Sequence, residues 1–295
     1  MTPLLSLSEE VRAALDDGRP VVALETTLVA HGFPAPEGVE VGLESEAAVR
    51  AAGAVPATIG VLDGAIRVGL DRTALERFTP GARKCGPRDL AACAVQGGAG
   101  ATTVGGALAV AASVGIRFLG TGGIGGVHRG FPHPPDVSAD VPALARAAVL
   151  VASSGVKSLL DVPATVELLE TLGVPVLGYR TDTLPLFYSA LGGPAVPQRV
   201  ESPAEAACIA HVHWELGGAG VLLANPPPES MEIEELIEAA LGEATAHEVS
   251  GPQVTPFVLA FLHERSDGRT RVVNRKLIVA NARLAAEVAV AFAAL

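Results

Sequence analysis

Lysine is nearly absent from this chain. Of its 21 lysines and arginines only Lys84, Lys157 and Lys276 are lysine, in 295 residues. The bias fits a GC-rich genome, in which ordinary surface cations default to arginine. A lysine kept against that bias is suspect, because a guanidinium cannot replace an amine that must shed its proton and attack carbon. Cysteine is scarce as well. Cys85, Cys93 and Cys208 are odd in number and form no CxxC pair, which argues against a disulfide frame or a zinc site and for free thiols in a reducing cytoplasm. Positive charge is in deficit, with a formal net charge of −11. That balance argues against a nucleic-acid polymer as partner, whereas a single small phosphate needs only a local cluster of donors. No basic segment precedes the apolar patch of MTPLLSLSEEVRAALDDG, so a signal peptide is not expected. The one long uncharged run, Leu90 to Ile116, is broken by Gln96, Thr102, Thr103 and many glycines. It reads as buried structure of a soluble protein rather than as a membrane span.

What is present suits a globular enzyme. Hydrophobic residues make up 49% and charged residues 18%, a composition that argues against disorder. A helix is expected over Glu9 to Asp16, stopping near Gly18, followed by a buried strand over Pro20 to Thr27 that ends in polar residues. Pro36 to Ala52 reads as a helix with proline near its start and Gly53 beyond its end. Ala57 to Leu70 is two apolar runs around Asp63-Gly64, a hairpin signal. Strand-like runs recur at Phe118 to Thr121, Ala148 to Ala152, Val174 to Tyr179 and Val221 to Ala224. Helical patterns cover Ala204 to Leu216, Met231 to His247 and Lys276 to Leu295. The alternation predicts an α/β fold: a mixed β-sheet flanked by helices on both faces, as one domain over residues 1–295.

Polar clusters fall at the ends of the predicted strands, where open α/β sheets bind ligands. Glu25 follows four apolar residues, so its carboxylate is expected to be desolvated and raised in pKa, as proton transfer requires; a structural, hydrogen-bonded carboxylate is the alternative. Thr121 to Gly130, TGGIGGVHRG, lets backbone N–H groups approach an anion, with His128 and Arg129 as further donors. It is neither a dinucleotide fingerprint nor a Walker loop, and a plain glycine-rich turn is its other reading. Asp136 to Asp140, DVSAD, offers oxygen ligands for Mg²⁺ or Mn²⁺, or else Ser138 or Asp140 caps a helix beginning near Pro142. Lys157 lies between an apolar strand and Leu159-Leu160, an environment that favours the neutral amine of a Schiff-base lysine. Pairing with Asp161 or snorkelling to the surface is the alternative.

Taken together, these stretches resemble one family, the pseudouridine-5′-phosphate glycosidases, which include indigoidine synthase A-like proteins. The resemblance is carried by VALETTLVAHGFP, KCGPRDLA, GATTVGGALAVAASVGI, TGGIGGVHRG, DVSADVPALA, GVKSLLD, ANPPPE and NARLAAEVA, in order from about Val21 to the C-terminus. It implies Glu25 as the acid, Lys157 as the nucleophile and Lys84 as a substrate-contacting lysine. It further implies Val104, Ser138, Ala139, Asp140 and Asn281 as substrate-binding residues and Asp136 as the residue associated with Mn²⁺. The chain departs from the family pattern at Lys84-Cys85-Gly86-Pro87-Arg88-Asp89, where K-x-S-R-R-D is usual, and at Ala280-Asn281, where Asn-Asn is usual. The implied reaction joins or parts uracil and ribose 5-phosphate across the C–C bond of pseudouridine 5′-phosphate, in the cytoplasm and in a homotrimer. The rivals are a Schiff-base lyase acting on another sugar phosphate, as an aldolase does, and a non-catalytic sugar-phosphate-binding regulator.

Overall fold

In the computed structural model, which describes residues 4–130, 132, 135–249 and 251–295, chain order begins β1 (Leu5–Leu7), α1 (Glu9–Asp16), β2 (Val21–Leu24). A π-helical turn (Leu28–Gly32) leads to α2 (Glu37–Ala51), β3 (Val55–Leu62), β4 (Ala65–Val68), α3 (Arg72–Leu75) and β5 (Arg83–Cys85). Next come α4 (Leu90–Val95), β6 (Gly100–Thr102), α5 (Val104–Ser113), β7 (Phe118–Gly120), β8 (Val127–His128), α6 (Asp140–Leu144) and β9 (Leu150–Ser153). The chain continues with β10 (Leu160–Asp161), α7 (Val162–Thr171), β11 (Val176–Tyr179), β12 (Gln198–Val200), α8 (Pro203–Glu215) and β13 (Val221–Ala224). Three helices close it: α9 (Glu234–Ala246), α10 (Val254–Arg265) and α11 (Arg269–Phe292).

Alternation along the strands builds the layers. Val22 and Leu24 of β2, Leu150 and Ala152 of β9, and Val221 and Leu223 of β13 pack under α8 and α11. Their neighbours Val21, Ala23, Val151, Leu222 and Ala224 enter the core of the opposite face, with α5 and α10. Burying one such side chain contributes about 1.5–3 kcal/mol, well above the intrinsic preference of any residue for strand, so the two-faced pattern decides the fold. The sheet runs β1-β4-β3-β2-β7-β9-β13-β11-β12, with β6 attached to β3 and β5 to β6. From β3 to β12 along that path every pairing is parallel, while β4 and β6 meet β3 antiparallel. The result is the mixed sheet with helices on both faces.

The hairpin signal holds: Asp63 and Gly64 adopt φ +52° and +76° between β3 and β4, the paired positive values that a two-residue turn of matching twist needs. The expected strand from Pro20 to Thr27 is shorter. Its polar end leaves the sheet because the Thr26 hydroxyl donates to the Ile59 carbonyl at 2.8 Å and accepts from the Thr102 N–H at 2.9 Å. The final helix begins at Arg269 rather than Lys276, and α10 precedes it unforeseen, the break being made by Asp267 and Gly268 at φ +50° and +77°. The uncharged run from Leu90 to Ile116 forms α4, β6 and α5. Among the described residues no helix is long and apolar enough to cross a membrane.

The topology places the site. The chain leaves β2 for β3 on one side, while β7 and β9 lie on the other, so strand order reverses between β2 and β7. Register pairs Leu24 with Gly120 and Gly120 with Ala152, which brings Glu25, Thr121 and the Ser153–Lys157 segment to one edge. Outside the carboxyl ends of strands at such a switch point is where open sheets take ligands.

Candidate active site

Glu25, Lys84 and Lys157 line one cleft there. Glu25 is 7% exposed and accepts a hydrogen bond from the Leu28 N–H at 3.0 Å, the first residue of the π-helical turn. Lys157 is half-buried on the segment after β9. That segment is stitched to the glycine-rich loop: the Ser154 N–H donates to Gly122 at 2.8 Å and the Lys157 N–H to Ile124 at 3.1 Å. Gly155, at φ +73°, lies so close to Pro185 that a Cβ would stand 2.1 Å from its carbonyl oxygen, so only glycine turns the chain here. Asp161 does not pair with the lysine. It caps α7, accepting from the Ala164 N–H at 3.0 Å. Lys84 comes from β5, opposite Ala101 of β6.

Burial sets the electrostatics. It pushes the Glu25 carboxyl up to about 7, against the pull of the Lys157 cation and the Leu28 N–H, with Asp140 adding a smaller upward push. Burial also pushes the Lys84 amine down to about 8, aided by repulsion from Lys157 and opposed by Asp140 and Glu25. A buried acid and a buried amine are thus both held near neutrality, where proton transfer is easiest. Nothing in the sequence around Lys84 announces this depression. Lys276, the third lysine, is a surface residue ion-paired with Glu229.

The other singled-out residues stand behind the cleft or beside it. Asp140 is 6% exposed, and its two carboxylate oxygens accept from the Gly105 N–H at 2.7 Å and the Gly125 N–H at 2.9 Å. It therefore ties the start of α5 to the glycine-rich loop instead of capping its own helix, which begins at Asp140 itself. Ser138 accepts from the Asp140 N–H at 3.2 Å, Ala139 is exposed, and Val104 is the buried first residue of α5. Asn281 is fully buried: its amide donates to Thr121 at 2.8 Å and Ser154 at 3.2 Å and accepts from Asn225 at 2.9 Å. Those bonds commit it to the protein, so it shapes the cleft rather than lining it. Asp136 lies 3.7 Å from His128, whose imidazole burial pushes down, with Asp136 opposing. Arg129 departs from expectation too. Its guanidinium donates to the Ser158 carbonyl and to Glu234, both at 2.8 Å, and faces a second, open groove.

Beyond the residues singled out in the sequence, Phe187, Leu259, Ile278, His31 and Asn274 line the cleft. Gly122 and Gly123 make room for the ring of Phe187, which holds φ +59°. Leu259 and Ile278 complete an apolar wall, and His31 and Asn274 line the same cleft. The His31 Nε2 and Asn274 Oδ1 are buried without a hydrogen-bond partner among the described residues; buried polar atoms of that kind await a ligand or water. Asn274 carries a legible signal: it precedes Asn281 by seven residues, two turns along the buried face of α11.

An open α/β sheet with an acid and two amines at its switch point defines an enzyme of the α/β class. Comparison supplies the rest. The profile of the family described as "Indigoidine synthase A like protein" matches residues 10–291, and the chain belongs to that family. A pseudouridine-5′-phosphate glycosidase of Sorangium cellulosum is 47% identical over 299 residues, covering 99% of this chain and 94% of the relative. Another, from Paracoccus denitrificans, is 47% identical over 303 residues, covering 99% of this chain and 100% of the relative. The crystal structure of the prealnumycin C-glycosynthase AlnA in complex with ribulose 5-phosphate matches with a TM-score of 0.89 and 39% identity, covering 100% of this chain and 98% of that one.

The Glu25 carboxyl makes a prediction about stability. An unfolded glutamate titrates near 4.3, whereas folding raises this one to about 7. The folded state therefore binds the extra proton between those values, and the contribution is full below about pH 4.3 and lost as pH rises through about 7. Glu25→Gln, neutral at every pH, is expected to gain about 3–4 kcal/mol over the parent near pH 8 and well under 1 kcal/mol near pH 4.5. Calorimetric Tm values at the two pH settings check this. A lower Tm for the variant near pH 8 would show that the nearby lysines outweigh the burial.

Proposed function

We propose that this enzyme reversibly cleaves the C–C glycosidic bond of pseudouridine 5′-phosphate, releasing uracil and ribose 5-phosphate through an imine on Lys157. The observation that carries the reading is the buried Glu25, raised to about 7, sharing one cleft with Lys157 and the depressed Lys84. The family and the full-length relatives named as glycosidases of this substrate support it. A C–C glycosidic bond has no leaving oxygen or nitrogen to protonate, so two-carboxylate glycosidase chemistry does not apply.

Glu25 accepts the proton that Lys157 must lose and delivers it to the ribose ring oxygen as the C1′–O4′ bond opens. The Lys157 amine adds to C1′. Once C5 of the uracil takes a proton, the nitrogen lone pair forms the C=N bond while the C1′–C5 electrons return to the base. Uracil leaves, and water hydrolyses the imine to the aldehyde of ribose 5-phosphate. Lys84, the glycine-rich loop and Ser138 hold the 5′-phosphate. The unpartnered His31 and Asn274 atoms offer acceptors for the remaining polar groups of the substrate.

Asp136 and His128 are the residues that would hold Mn²⁺. Among the described residues no cluster of three or more His, Cys, Asp or Glu forms, so a bound ion would keep several waters, as weak and exchangeable divalent sites do. When bound, the ion orders waters and the loop beside the phosphate. Three free thiols favour a reducing cytoplasm, and the resemblance favours a homotrimer.

Borohydride added with ribose 5-phosphate is expected to attach the sugar to Lys157 as a secondary amine, which peptide mass mapping locates against only two other lysines. Lys157→Arg is expected to lose both trapping and uracil release, since arginine stays protonated; a label on Lys84 with Lys157 untouched would move the nucleophile. Chelation is expected to lower activity and added Mn²⁺ to restore it, and full turnover in metal-free buffer would remove the metal from the reading. Light scattering is expected to give three times the chain mass, against which a monomer at working concentration would count.

A further inference from the structure

The π-helical turn that presents Leu28 to Glu25 is held from outside by a side chain on a distant helix. His263, in the last turn of α10, faces the Gly32 carbonyl at 3.3 Å and the Thr270 hydroxyl at 2.9 Å, and its ring stacks on Phe33 with centroids 6.3 Å apart. The hydrogens have one consistent arrangement. A carbonyl only accepts, so Nε2 carries the proton, Nδ1 is bare, and the Thr270 hydroxyl donates to it. The Ser266 hydroxyl then donates to Thr270 at 2.9 Å and accepts from the Thr270 N–H at 3.1 Å. Thr270 is fully buried.

We infer that His263 is a positioning residue for the acid: by fixing Gly32 at the end of the π-helical turn it keeps the Leu28 N–H on the Glu25 carboxylate. The turn needs such a tie. A π-helical turn is less favourable than an α-turn and persists where its surroundings hold it, and here Thr26 alone receives both the Val29 and Ala30 N–H groups, at 3.0 and 3.1 Å. The far end, Gly32, belongs to the cleft wall together with His31. Releasing that end lets the turn relax and withdraws the Leu28 N–H, a bond that favours the ionised carboxylate. The charged groups around Glu25 are Lys157, Lys84 and Asp140, and the one that acts on His263 is Arg271. Burial and Arg271 push the His263 imidazole down, so it stays neutral, as the hydrogen-bond chain requires. None of these charges is altered when His263 is replaced by an uncharged residue.

The inference rests on the proposed reaction for its kinetic readout, and a second readout is independent of it. Uracil release from pseudouridine 5′-phosphate is followed across about pH 5.5–9 for the parent, His263→Leu and His263→Gln, with Tm for each. In the parent kcat/KM is expected to fall below about pH 7, where a protonated Glu25 no longer takes the Lys157 proton. Losing one hydrogen bond to a carboxylate corresponds to about one pH unit, so in His263→Leu that limb is expected about one unit higher. His263→Gln, whose amide can still donate to Gly32, is expected to return the limb toward the parent position. The same upward shift is expected in a carbon-13 NMR titration of the Glu25 carboxyl without substrate, which tests the inference even if the parent releases no uracil. A His263→Leu protein whose Glu25 titrates as in the parent, whatever its Tm, overturns the inference. Should His263→Leu not fold, Thr270→Val is expected to move the titration in the same direction by less, and an unshifted titration there overturns it equally.

Discussion

Three parallel strands end at the cleft, and one carboxamide joins the residues that follow them. Asn281 of α11 donates to Thr121 after β7 and to Ser154 after β9, and accepts from Asn225 after β13. Asn281, Thr121 and Ser154 are all buried, and their groups would otherwise be unsatisfied, at about 1–3 kcal/mol apiece. The strand ends therefore cannot drift apart without a large penalty, and the loops that carry Gly122, Gly123 and Lys157 inherit fixed starting points. Gly120 makes the approach possible: a Cβ there would lie 2.7 Å from the Ala282 Cα, so α11 can lie directly on β7.

On that rigid edge the charged groups are arranged at a cost to stability. Desolvation is the largest influence on Glu25 and on Lys84, and in both it outweighs the attraction of the opposite charges nearby. The site thus keeps acid and amine away from their usual protonation range, as proton transfer near neutral pH demands, instead of relaxing into ordinary ion pairs. Asp140 has a different part. Its two backbone N–H donors satisfy its carboxylate, and it supplies a fixed negative charge behind the cleft that opposes the depression of Lys84 and reinforces the elevation of Glu25.

Much of this was legible in the residues. Four apolar residues before Glu25 announced a buried strand and a desolvated acid, and Asp63-Gly64 announced the hairpin, because each signal is local and carried by consecutive residues. Lys84 drew notice through the scarcity of lysine, yet its strand, three residues long, is too short to show a period. The α10–α11 break was hidden in HERSDGRTR, where positive φ at Asp267 and Gly268 ends one helix without a proline. DVSAD was readable as a cap or as a ligand set. Neither reading anticipated a carboxylate spanning Gly105 and Gly125, since that pairing joins elements far apart in the chain. Arg129 was assigned to an anion for the same reason: only the fold shows Glu234 beside it.

The wall formed by α10 and α11 has a meaning for synthesis of the protein. Chains emerge from the ribosome amino end first, and these two helices follow every strand in order. Until they dock, the cleft lacks the wall that Thr255, Leu259, Asn274 and Ile278 supply. Assembly of the catalytic environment is thereby deferred to the closing stage of folding.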